Sequence, residues 1–119
     1  LRGLTDIAKK VLNDKDVEIN KFPFKIGRKG LNVEKDVFAD NDLYIEDKEP
    51  FSVSRNHIAI SRLNDSFFIV DRGSTLGAIV NGKEIGKVKE IMDAELVNGN
   101  NNVILGMADS DFKFEIEIK

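Results

Sequence analysis

Two periodicities divide the chain. Leu4, Ile7, Ala8, Val11 and Leu12 fall at the i, i+3, i+4 spacing of an amphipathic helix. Thr5 is placed to cap it, because a hydroxyl there can accept from an unpaired first-turn amide, and Asp6 suits the positive end of the helix dipole. A helix this short needs a surface to pack on. Residues 1–16 therefore read as an N-terminal helix or linker, and 17–119 as the domain it leads into. From Val17 the period falls to two. Val17, Ile19, Phe22, Phe24 and Ile26 predict an extended strand interrupted by Pro23, which suits an edge because proline has no amide to donate. Ile58 and Ile60 alternate with Ala59 and Ser61, and Asn64-Asp65 supplies a turn ahead of Phe67, Phe68, Ile69 and Val70. The strongest hairpin signal is Ile79-Val80-Asn81-Gly82-Lys83-Glu84-Ile85, since Asn-Gly tolerates the two positive φ angles of a type I′ turn. Asn98-Gly99 marks a further turn before Val103, Ile104 and Leu105. At the end, Phe112, Phe114, Ile116 and Ile118 alternate with Lys113, Glu115, Glu117 and Lys119. Many short strands with closely spaced turns predict an all-β sandwich.

Composition narrows the chemistry. The 119 residues are 41 % hydrophobic, enough for one core, and 33 % charged with the two signs mixed, which excludes acidic-tail and basic-tail disorder. Having no cysteine excludes disulfides, thiolate metal sites and a cysteine nucleophile, and fits a reducing, cytoplasmic setting. A single histidine, His57, excludes a multi-histidine zinc site. The net charge of −3 supplies no global field to recruit nucleic acid, and no apolar run is long enough for a membrane-spanning helix. Leu1 opens the numbering without a methionine or a signal-like segment, so the expected context is a longer chain with further domains.

Two loops stand out. Gly27-Arg28-Lys29-Gly30 is basic and glycine-flanked. Lys35 to Phe51 is long and acidic, with Asp36, Asp40, Asp42, Glu46, Asp47 and Glu49. Its two readings are a solvated connection and a charged rim favouring basic residues near a ligand.

Phe24-Lys25-Ile26-Gly27-Arg28, Val53-Ser54-Arg55-Asn56-His57, Asp71-Arg72-Gly73-Ser74-Thr75-Leu76-Gly77 and Val80-Asn81-Gly82 follow one another in order. Over Val17 to Ile118 the chain thereby resembles forkhead-associated (FHA) domains, the phosphothreonine-binding modules, whose pattern is Gly-Arg, Ser-x-x-His and Ser-x-Asn-Gly. Leu96-Val97-Asn98-Gly99 and Leu105-Gly106 resemble the family's late strand pair. The resemblance implies an FHA-type sandwich of two antiparallel or mixed sheets, of the eleven-strand kind, here with an added N-terminal helix. It also implies a phosphothreonine-containing protein or peptide as partner, bound by loops at one end, with no cofactor, no metal and no catalysis.

A phosphate dianion needs cationic and neutral donors converging on its oxygens, and a guanidinium offers a planar fork for it. Arg28, just after a glycine at a strand end, is the first candidate. By resemblance Ser54 is a direct phosphate ligand, Arg55 touches the same group, and Thr75 completes the pocket through its hydroxyl or its amide. Gly27 and Gly77 would let the backbone approach, while His57, Asn81 and Gly82 would support the loops. Leu76 departs from the pattern: it stands where family members carry an asparagine that grips the peptide backbone, and leucine has no donor or acceptor for that role. Ala78 stands where threonine is frequent. The phosphate pocket is expected intact and the peptide clamp altered. The alternative is a phosphate-independent structural or homotypic interaction domain.

Three competing readings fail. His57 has no serine–carboxylate partners in evidence for a catalytic triad. Gly77 to Glu84 approaches a P-loop, but Glu84 replaces the required hydroxyl and the segment reads strand–turn–strand. Asn64-Asp65-Ser66 matches a glycosylation sequon and reads more simply as a hairpin turn.

Overall fold

The structure is a computed structural model that describes residues 1–30 and 40–119. Two five-stranded sheets face each other across one core. In chain order the elements are β1 (Arg2–Gly3), α1 (Asp6–Val11), β2 (Phe24–Arg28), β3 (Leu43–Ile45), β4 (Ile58–Leu63), β5 (Ser66–Asp71), β6 (Ala78–Val80), β7 (Lys83–Ile85), β8 (Asp93–Glu95), β9 (Gly99–Leu105) and β10 (Lys113–Ile118). One sheet runs β1-β10-β9-β6-β7 and is antiparallel throughout. The other runs β3-β2-β4-β5-β8 and is mixed, because β2 and β3 are parallel. Ten strands are thus seen among the described residues, against the eleven of the expected type.

Alternation along the strands builds the core. Val103 and Leu105 of β9 and Phe114 and Ile116 of β10 meet Ile26, Ile60 and Ile69 of the opposite sheet, all nearly inaccessible to water. Burying each such side chain stabilises the fold by about 1.5–3 kcal/mol. The sandwich is all-β apart from α1, as the sequence pattern predicts.

Helix α1 begins where expected: the Thr5 hydroxyl accepts from the Ala8 amide at 3.3 Å. Its surface is the sandwich itself, for Ala8 and Leu12 join the core and Arg2–Gly3 pairs with β10. Asn81 and Gly82 have φ of 51° and 82°, both positive as a type I′ turn requires, between the paired strands β6 and β7. Two expectations change. Only Phe24–Arg28 of the predicted first strand is strand, with Pro23 just before it. That strand is interior, between β3 and β4, and proline is tolerated because it stops short of the ladder. The acidic stretch also contains β3, three residues too short to announce themselves by periodicity.

The topology gathers one set of loops. Since β4 is antiparallel to β2 and β5 to β4, the end of β2, the start of β4 and the end of β5 share one edge of the sandwich. Pairing of Ala78 with Leu105 brings the start of β6 and the end of β9 to that same edge.

Candidate functional site

Arg28 ends β2 at this edge, and its guanidinium carbon lies 3.7 Å from the centroid of the Phe51 ring. The ring face holds the charge in place, and a guanidinium on an aromatic face keeps its in-plane N–H groups for hydrogen bonding. No carboxylate pairs with it among the described residues. Beside it, a Cβ built on Gly27 would stand 1.9 Å from the Arg55 carbonyl oxygen, so only glycine lets β2 and the next loop touch.

That loop is folded by Asp47 and Ser54. The Asp47 carboxylate accepts from the amides of Lys48 (2.8 Å), Ser52 (2.8 Å) and Val53 (3.0 Å), which turns the chain back before Ser54. The Ser54 carbonyl accepts from the Arg28 amide at 2.8 Å, and the Ser54 amide donates to Nδ1 of His57 at 2.9 Å. Its Oγ accepts from the Thr75 amide at 2.9 Å, so the hydroxyl proton remains available to another acceptor. Arg55 follows, exposed, with its carbonyl held by Nδ2 of Asn41 at 2.7 Å.

His57 is fully buried and joins two loops. Nδ1 accepts from Ser54, so the proton sits on Nε2, which donates to the Gly77 carbonyl at 2.6 Å. Burial pushes the imidazole below its ordinary pKa of 6.5, a larger effect than the opposing pull of the Gly77 carbonyl. The ring is a neutral brace.

The third loop leaves β5. The Asp71 carboxylate accepts from the amides of Gly73 (3.0 Å) and Ser74 (3.1 Å) and from the Ser74 hydroxyl, whose oxygen in turn accepts from the Gly77 amide at 2.9 Å. Gly77 has a φ of +75°, and a Cβ there would meet the Ile85 carbonyl oxygen at 2.2 Å. Thr75 and Leu76 are exposed at the tip. Thr75 therefore offers its hydroxyl, while its amide, the other donor considered, is already given to Ser54.

Arg28, Ser54, Arg55 and Thr75 thus come together at one end, braced by Gly27, His57 and Gly77. Asn81 and Gly82 do not join them. They lie at the opposite end of β6, about 13 Å along the strand from Gly77. There Nδ2 of Asn81 donates to Oδ1 of Asn101 (2.9 Å) and Oδ1 accepts from the Asn102 amide (2.8 Å), so Asn81 ties β6 to β9. Sequence reasoning assigned no role to Asp71, Ser74 or Arg72; the Asp-x-x-Ser spacing of a side-chain-closed turn was the available signal for the first two.

Half of the acidic stretch's carboxylates are paired with lysines. Asp40 pairs with Lys25 and Asp42 with Lys21, each at 2.8 Å, and Glu46 with Lys29 at 3.2 Å. The lysine hydrogen bonds hold the Asp40 and Asp42 carboxyls below the usual range. Three of the six carboxylates of the expected acidic rim thereby have a lysine partner and Asp47 is taken up by backbone amides, while Asp36 lies outside the described residues. Beside Thr75 runs a groove of about 310 Å³, with Leu76, Ile79, Val88 and Met107 among its lining residues. Leu76 is 41 %, Val88 88 % and Met107 59 % exposed. Among the described residues no three acidic or histidine side chains could together hold a metal ion.

The family model described as FHA domain matches residues 24–105. No curated protein matches the chain. Solved structures similar to it include the FHA domain of the CT664 protein from Chlamydia trachomatis, 22 % identical with a TM-score of 0.55, covering 87 % of this chain and 80 % of that one. The FhaA FHA domain complexed with the intracellular domain of Rv3910 is 20 % identical with a TM-score of 0.53, covering 86 % of each chain. Mycobacterium tuberculosis EmbR in complex with a low-affinity phosphopeptide is 23 % identical with a TM-score of 0.57, covering 85 % of this chain and 21 % of that one.

Proposed function

The chain belongs to the FHA domain family, and from that premise we propose that it is a phosphothreonine-dependent protein–protein interaction module. The observation that carries this reading is the placement of Arg28, Ser54, Arg55 and Thr75 on one edge, in loops locked together by His57. Two guanidiniums and two hydroxyls match the charge and the acceptor-only oxygens of a phosphate dianion. The phosphopeptide bound by the similar EmbR structure supports the same partner class. The reading includes no reaction, since both ring nitrogens of His57 are committed to the backbone. It is a signalling role in a cytoplasmic setting, which the absence of cysteine supports.

A phosphothreonine peptide library screened beside its unphosphorylated counterpart tests the proposal. Phosphate-dependent capture, competed by free phosphothreonine, is the expected result; equal capture of both libraries overturns it. Leu76 and its apolar groove favour a second reading, a contact with protein that needs no phosphate.

A further inference from the structure

The third loop begins with a cation that the phosphate set does not use. Arg72 follows Asp71, and its amide donates to the His57 carbonyl at 2.9 Å. Its guanidinium crosses to the segment before β3: Nη1 donates to Oδ1 of Asn41 at 2.6 Å and Nη2 to the Asp40 carbonyl at 3.0 Å. Nη2 also donates to Oδ1 of Asn56 at 3.1 Å, and that same oxygen accepts from the Asp40 amide at 3.3 Å. Asn41 then passes the contact on, for its Nδ2 holds the Arg55 carbonyl at 2.7 Å, the oxygen that presses on Gly27. One side chain therefore joins the start of the Thr75 loop, the 40–41 segment and the Ser54–His57 loop. Every acceptor is neutral; the Asp40 carboxylate is turned to Lys25 instead. A guanidinium can serve three acceptors in one plane, which an ammonium on a flexible stem cannot do with the same geometry.

We propose that Arg72 is a positioning residue for phosphopeptide binding: acting through Asn41, it fixes the Ser54–Arg55 backbone in the conformation that presents both donors, and does not itself touch phosphate. The proposal rests on the phosphothreonine reading for its effect on affinity, whereas its effect on loop order holds without any ligand. Preorganisation of this kind lowers the ordering cost at the moment of binding.

Four proteins test it: wild type, Arg72→Leu, Asn41→Ala and the double variant. Asn41→Ala removes the relay without altering any charge, and it serves equally if Arg72→Leu folds poorly. In the ligand-free proteins, amide hydrogen exchange at Ser54 and His57 should quicken in both single variants while the β9 and β10 amides keep their protection. Unchanged exchange at Ser54 and His57 overturns the positioning role whether or not a ligand is found. With a phosphothreonine peptide selected on the wild type, each single variant should bind roughly tenfold more weakly, and the double variant no more weakly than either, as residues of one network behave. Full affinity in Asn41→Ala, with loss in Arg72→Leu and a weaker salt dependence, would instead make Arg72 a direct phosphate ligand and overturn the proposal. Failure of the wild type to select any phosphopeptide counts against the phosphothreonine reading, and the exchange data then decide the positioning role alone.

Discussion

Replacing Arg28 by alanine should separate binding from folding. The guanidinium stacks on Phe51 at 3.7 Å, with no carboxylate partner among the described residues, and the residue is partly exposed. An exposed cation–π contact is worth about 0.5–1 kcal/mol, so truncation should cost no more than that in stability. For a domain of this size that is about 4 °C in melting temperature. Binding is different. Two charge-assisted hydrogen bonds to a phosphate contribute about 1.5–3 kcal/mol each, and their loss removes about 3–6 kcal/mol, roughly a hundred- to ten-thousand-fold in affinity. Starting from a micromolar complex at about −8 kcal/mol, the variant falls to roughly 0.1 mM or weaker. Titration calorimetry with one phosphothreonine peptide, beside a thermal melt of both proteins, reads the two effects separately. Phe51→Ala should weaken the same complex roughly two- to fivefold, since the stack only orients the charge. A folded Arg28→Ala protein with wild-type affinity would refute the assignment of Arg28 to phosphate.

Other outcomes follow from the bracing around it. His57 has its native pKa lowered by burial from 6.5, so the unfolded chain takes up a proton that the native ring refuses as pH falls below that value. Stability is full above pH 6.5 and should decline below it, by at most about 1.4 kcal/mol per unit, a slope that His57→Gln should abolish in denaturant titrations between pH 7.5 and 5. Gly77→Ala must hold a φ near +75° with its Cβ 2.2 Å from the Ile85 carbonyl oxygen; the melting temperature should drop by more than about 8 °C, and a near-native melt would contradict the contact. Leu76→Asn can restore one or two hydrogen bonds to a peptide backbone, about 0.5–1.5 kcal/mol each, and should tighten phosphopeptide binding several-fold. If neither protein binds phosphopeptide and sedimentation shows self-association lost in the variant, the apolar contact is the function and the phosphothreonine reading falls.

The local pattern of the sequence determined a good deal. The spacing of Leu4 to Leu12 and the Thr5 cap specify α1, because helix registry and capping act within four residues. Alternation specifies β4 and β10, the Asn64-Asp65 turn and the apolar run after it specify β5, and Asn81-Gly82 specifies its hairpin, because positive φ at two successive residues is a local steric demand. The ordered motifs also picked out Arg28, Ser54, Arg55 and Thr75, which the fold brings to one edge. What depended on partners distant in sequence was decided only by the tertiary structure. Pro23 was expected to mark an edge, yet β2 lies inside its sheet, because the covering strand β3 pairs in parallel across a long connection. The acidic stretch read as one uniform charge, yet Lys21, Lys25 and Lys29 each take one of its carboxylates from 15 to 21 residues away. Asn81 shared a motif with the site and landed at the other end of β6, since a strand separates its two ends by its own length. Arg72 carried no signal beyond being an arginine in a turn. Its role exists only where three loops, separated by 16 to 32 residues, close on one guanidinium. Sequence periodicity reports which face of an element is buried. The identity of the groups that meet across loops is set by sheet order, which no local pattern encodes.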